Sequence, residues 1–145
     1  MPASKTTAEI VRFAGGLEED SARFYEALAA RFPDKADAFS GWARDSRKSA
    51  QFIQRTYQET ISDALEACFA FEGLDPQALA IQPPDGAGAW PESIAQAARL
   101  EDEASRLYST LAACSQSLLG TIADAFRSVS ERRARRKAQL EALLG

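Results

Sequence analysis

Apolar and small residues recur at alternating steps of three and four along four stretches of this chain, the spacing of helices that turn one stripe toward a shared core. The first stripe is Val11, Ala14, Glu18, Ser21, Tyr25 and Leu28, and the third is Ile94, Ala98, Glu101, Ser105, Tyr108 and Ala112. The second keeps Phe39, Trp42, Ser46, Ser49, Ile53, Thr56 and Thr60, and the last runs Ile122, Phe126, Val129, Arg133, Arg136, Leu140 and Leu143. Every stripe is interrupted near its middle by polar residues.

Local signals set the ends of these elements. Thr6-Thr7-Ala8-Glu9 has the spacing of a capping box, and the helix that follows should run to about Phe32, where Pro33 interrupts it. Asp34 then suits the cap of a second helix, which the periodicity extends to about Glu72, ahead of Gly73 and Pro76. Residues 74–90, with Pro83-Pro84-Asp85-Gly86 inside them, read as a long connection. Pro91 fits a first helical turn, the third helix should reach about Cys114, and Ser115 or Ser117 could cap a fourth that ends at Leu144. No segment reads as a strand. The expected architecture is one all-α domain over residues 1–145, a four-helix bundle of two hairpins joined by a long crossover.

The two hairpins are related in sequence. Leu17-Glu18-Glu19-Asp20-Ser21-Ala22-Arg23-Phe24-Tyr25 returns as Leu100-Glu101-Asp102-Glu103-Ala104-Ser105-Arg106-Leu107-Tyr108. With extra residues in the second inter-helix turn, Phe39 aligns with Phe126, Trp42 with Val129 and Ile53 with Leu140, so the repeat covers residues 8–73 and 91–144. Ser46 and Ser49 then correspond to Arg133 and Arg136.

Composition narrows the chemistry. At 46% apolar and 26% charged, the chain has the makeup of a soluble globular domain. No apolar run has the length of a membrane span and the start has no secretory signal, so a cytoplasmic protein with no membrane association is expected. The absence of histidine removes Ser-His-Asp and Cys-His nucleophilic schemes and every histidine metal site. Cys68 and Cys114 lie far apart without CxxC spacing and read as reduced helix residues. A net charge of −4 argues against nucleic acid as a partner, despite the basic run from Arg127 to Lys137. Its outward members, Arg132, Arg135 and Lys137, read as a solvated face, with binding of an anionic partner as the competing reading. Phe69, Phe71 and Leu74, beyond the second stripe, suit a side-by-side homodimer, and no protein partner can be named.

The polar interruptions fall in one layer. Glu18, Ser46 with Ser49, Glu101, and Arg133 with Arg136 point toward a common middle, and a carboxylate there is costly to bury unless something pairs with it. Two carboxylates and two guanidinium groups balance in charge, and a guanidinium can fork onto a carboxylate while serines donate to the remaining oxygens. Tyr25 and Tyr108, one heptad from each glutamate, are placed to add their hydroxyls, although the ordinary reading of both is plain core aromatics.

The repeated Leu-Glu followed seven positions on by Tyr, with a hairpin partner carrying two inward polar residues three apart, resembles the rubrerythrin-like branch of the ferritin-like superfamily. The resemblance spans Ala8 to Leu144 and implies a ferritin-like bundle in which each half supplies one Glu and a Glu-x-x-His pair to two irons. Glu18 and Glu101 match the single-helix ligands. At the paired positions this chain has Ser46-Arg47-Lys48-Ser49 and Arg133-Ala134-Arg135-Arg136, which offer no good iron ligand. The expectation is a degenerate di-iron site with no cofactor, no catalytic residues and a structural, regulatory or partner-binding role. The alternative is a diverged peroxidase-like oxidoreductase or metal-storage protein that binds iron or another divalent metal through shifted carboxylates, drawn from Asp45, Glu19-Asp20 and Asp102-Glu103.

Overall fold

The computed structural model describes residues 5–60, 70–71, 80–115 and 120–144. Within them the chain is all-helical in architecture, with α1 at Thr7–Arg31, α2 at Ala36–Thr60, α3 at Trp90–Ser115 and α4 at Gly120–Leu144. The helices follow their stripes: Val11, Ala14, Glu18, Ser21, Tyr25 and Leu28 are all buried on α1. A 3-10 turn at Pro33–Lys35 joins α1 to α2. Pro33 ends α1 because its ring removes a donor and clashes with the preceding turn.

Several ends differ from the expected ones. Asp34 sits inside the 3-10 turn, whose Ala36 N–H already bonds the Pro33 carbonyl, so the chain enters α2 without an aspartate cap. Ala70–Phe71 (β2) is extended and pairs antiparallel with Lys5–Thr6 (β1), Lys5 opposite Phe71 and Thr6 opposite Ala70. A second helix reaching Glu72 is therefore corrected: a short run of apolar residues fits helix and strand spacing equally, and here backbone pairing with the chain start decides. Ser115 is the last residue of α3 rather than a cap for α4. Ser117, Cys68, Phe69, Leu74 and the side chain of Phe71 lie outside the described residues, and with them the expected dimer contact; Cys114 is a half-buried free thiol.

Each hairpin, α1 with α2 and α3 with α4, packs along its length, and α2 lies against α4. Two apolar clusters fill the interior. One gathers Ile10, Val11, Leu17, Ile53, Leu107, Tyr108, Leu111, Ile122 and Phe126, the other Phe24, Tyr25, Leu28, Phe39, Ile94, Leu100 and Leu140. Residues 80–89 carry no regular structure and run alongside α1 and α3 toward the C-terminal end of α1, with Ile81 against both clusters. Arg31 Nη1 donates to the carbonyls of Gly86 and Gly88, fixing this connection to the end of α1. Gly86 has φ 76°, a left-handed conformation that glycine adopts without a Cβ penalty. No described helix is long and apolar enough to cross a membrane.

Candidate functional site

Between the two apolar clusters lies a polar layer in which Glu18, Ser21, Ser46, Glu101, Arg133 and Arg136 are all buried. α1 and α3 bring the glutamates, α4 brings both arginines one turn apart, and α2 brings Ser46. Arg133 is among the largest fully buried side chains, at 1% exposure. It spans the two glutamates: Nη1 donates to Glu101 Oε2 at 2.8 Å and Nη2 to Glu18 Oε2 at 2.7 Å. Nη2 also donates to Ser21 Oγ at 2.8 Å. Arg136 Nη1 donates to Ser46 Oγ at 2.9 Å and reaches Glu101 Oε2 at 3.5 Å.

Two expectations change here. Neither Arg133 nor Arg136 forks onto a single carboxylate; Arg133 divides its two terminal nitrogens between carboxylates that belong to different halves of the repeat. The serines accept from guanidinium nitrogens instead of donating to carboxylate oxygens. Ser49 is buried on α2, but the hydroxyl that holds Arg136 is that of Ser46. Ser21, one turn from Glu18 on the same stripe, is a network member that sequence reasoning placed inward without giving it a role. Its signal was that position beside Glu18.

The tyrosines are more than core aromatics. Tyr108 donates to Glu18 Oε2 at 2.7 Å, and Tyr25 donates to Glu101 Oε2. Each tyrosine thus serves the glutamate of the other half, so α1 and α3 run antiparallel past one another and exchange hydroxyls about an approximate two-fold. Within one helix the seven-residue separation is about 10.5 Å of rise, too far for a direct bond. The Arg136 guanidinium also lies over the Tyr25 ring, 5.4 Å from its centroid. Burial pushes both phenols well above their ordinary range, and the facing carboxylates, Glu101 for Tyr25 and Glu18 for Tyr108, push the same way. For Arg133 burial opposes the charge, but Glu101 and Glu18 outweigh it and hold the guanidinium protonated.

Glu18 Oε1, Glu101 Oε1 and Arg133 Nε are buried without a hydrogen-bond partner among the described residues. Carboxylate coordination would need further donors around these oxygens. Arg133 bridges the glutamates through their Oε2 atoms, and serine or arginine stands where histidines and further glutamates would be required. This donor set does not fit a pair of irons. The acids proposed for a shifted site stand on outer faces: Asp45 is exposed, Glu19 is held with Glu26 by Arg47, and Asp102 is held by Arg106 and Lys137. The Arg47 hydrogen bond is the main reason the Glu19 and Glu26 carboxyls sit below their usual range. Among the described residues, no group of three or more His, Cys, Asp or Glu side chains comes together.

Within the basic run, Arg127 pairs with Asp124 at 2.7 Å and Lys137 with Asp102 at 3.2 Å, while Arg133 and Arg136 are interior. Arg132 lies over the Phe52 ring, 5.4 Å from its centroid, and Arg135 is exposed. Comparison with protein-family models, with curated proteins and with solved structures finds no match to this chain.

Proposed function

We propose that the chain is a ferritin-like bundle of the rubrerythrin type whose di-iron centre has been replaced by an internal Glu/Arg/Ser/Tyr network, and that its role is structural, regulatory or partner-binding rather than catalytic. The observation that supports this most directly is the place of Arg133. A cation joining two glutamates from opposite halves of a bundle is the electrostatic task of a bridging metal, and here a permanently charged side chain performs it. A divalent ion brought to the same layer would meet two guanidinium groups, whose repulsion in a medium of low dielectric is severe.

Iron titration of the purified protein followed by absorbance, with elemental analysis of the product, tests the reading. The expected result is no stoichiometric iron. Two irons bound per chain would overturn it, as would peroxidase activity in metal-reconstituted protein that is lost on both Glu18→Ala and Glu101→Ala.

A further inference from the structure

One outer face of the bundle carries a run of cations without ion pairs to described residues. Among the described residues, Arg23 pairs with Glu19 and Asp20, Arg47 with Glu19 and Glu26, Arg106 with Asp102, and Arg127 with Asp124. Five cations on the outer ridge shared by α2 and α4 have no acid of the described residues within ion-pair distance: Arg44, Lys48 and Arg55 on α2, Arg132 and Arg135 on α4. Their spacing puts them together. Arg44, Lys48, Phe52 and Arg55 follow steps of four, four and three along α2, and Arg132 and Arg135 stand one turn apart on α4. The two ridges meet where Arg132 stacks on Phe52, and the helices are held side by side there by Arg136 with Ser46 and by Trp42 Nε1 donating to Gln139 at 3.2 Å.

We infer that this α2/α4 ridge is a docking surface for an acidic protein helix, seated with its carboxylates against the five cations and an apolar side chain against Phe52. Lys48 and Arg55 lie about 10.5 Å apart along the axis, so acids seven residues apart on a partner helix present charge at the matching interval. Phe52 is half-buried and bears Arg132 on its ring, which gives the strip an apolar centre inside a cationic rim, the arrangement of a helix-binding surface rather than of a uniformly polar phosphate track. Between Arg44 and Arg55 on α2 and between Glu131 and Arg135 on α4 the exposed acids are Asp45 and Glu131, which the cations outnumber, while Asp37 and Glu59 lie beyond the strip on α2 and the whole chain carries −4. The cations are thus concentrated against the overall charge, where long-range attraction would steer an acidic partner onto one face.

The test uses a fluorescein-labelled helical peptide of Glu and Ala with one central Leu, titrated into the intact protein and read by fluorescence anisotropy. Binding at low salt that weakens steadily as salt is raised is expected. Lys48→Glu with Arg135→Glu should reduce affinity about tenfold or more, Phe52→Ser should reduce it at unchanged salt dependence, and Arg106→Glu on another face should leave it unaltered. Circular dichroism on each variant establishes that the bundle is intact. The inference is overturned if the peptide fails to bind at low salt, if the Lys48/Arg135 reversal leaves affinity unchanged, or if a single-stranded oligonucleotide of equal charge binds more tightly than the peptide.

Discussion

Arg133 keeps two buried carboxylates from facing each other unscreened. Removing it leaves Glu18 and Glu101 buried without the cation they share, so Arg133→Ala should lower stability by about 3–5 kcal/mol in urea unfolding. A loss near zero would mean that the glutamates swing out to water. The tyrosines supply a second measurable property. Tyr25 and Tyr108 are held above the ordinary phenol range by burial first and by Glu101 and Glu18 after it. Because the fold retains protons that the unfolded chain releases near pH 10, their stabilising contribution is complete below that value and is lost as pH rises past it. Stability should therefore fall above about pH 10, and the fall should be shallower in the Tyr25→Phe, Tyr108→Phe double variant, as followed by unfolding midpoints across alkaline pH. Each single Tyr→Phe should cost about 1.5–3 kcal/mol at neutral pH, the range for a hydrogen bond to a charged group. That the glutamates and arginines meet was legible from their stripes. That one guanidinium serves both halves was not, since a helical stripe fixes which way a side chain points and leaves its choice of partner to packing across the bundle.

At the level of elements, stop signals with a backbone cause were read to within a residue or two: Pro33 after α1, Pro91 in the first turn of α3, and the end of the Pro and Gly-rich connection before it. The end of α2 and the start of α4 were not, because apolar runs and serines near a boundary are compatible with more than one local structure until tertiary contacts choose. The connection itself depends on Gly86. A Cβ there would meet Ala27, Leu28 and Phe24 at ordinary van der Waals distances of 3.5 to 3.8 Å, so the obstacle to a side chain is the backbone angle and not space. Gly86→Ala should cost about 1–2 kcal/mol, the left-handed penalty for a residue with a Cβ, and should lower the thermal midpoint accordingly. Arg47 shows a different kind of tie. It bonds Glu19 at 3.1 Å and Glu26 at 2.7 Å across the α1/α2 hairpin, but it does so in solvent. Arg47→Ala should destabilise the hairpin at low salt, and the difference from the parent should shrink as salt is added, whereas the Arg133→Ala loss should persist because its partners are shielded from ions.

For the whole molecule, the polar layer separates two apolar clusters and crosses the halves of the repeat: Tyr25 reaches Glu101, Tyr108 and Arg133 reach Glu18, and Arg133 also holds Glu101 of its own half. A repeat in the sequence announced that the halves are alike, but a one-dimensional pattern does not say whether like halves satisfy themselves or each other. The crossing makes the network a device for alignment. A slip of α1, α3 or α4 by a turn, about 5.4 Å, would separate every one of these bonds that the slipped helix makes while leaving an apolar stripe still apolar. Stability and specificity then come apart in a testable way. Replacing the layer as a unit, with Glu18, Glu101, Arg133 and Arg136 all changed to Met and Tyr25 and Tyr108 changed to Phe, removes the desolvation cost together with the bonds. Its unfolding midpoint should equal or exceed that of the parent, although each single removal is destabilising. The gain should come with a less unique core, seen as broadened side-chain resonances and faster amide exchange at the bundle centre. A replaced layer that kept sharp resonances and slow exchange would assign alignment to the apolar clusters, and a midpoint far below the parent would make the ion network itself the main source of stability.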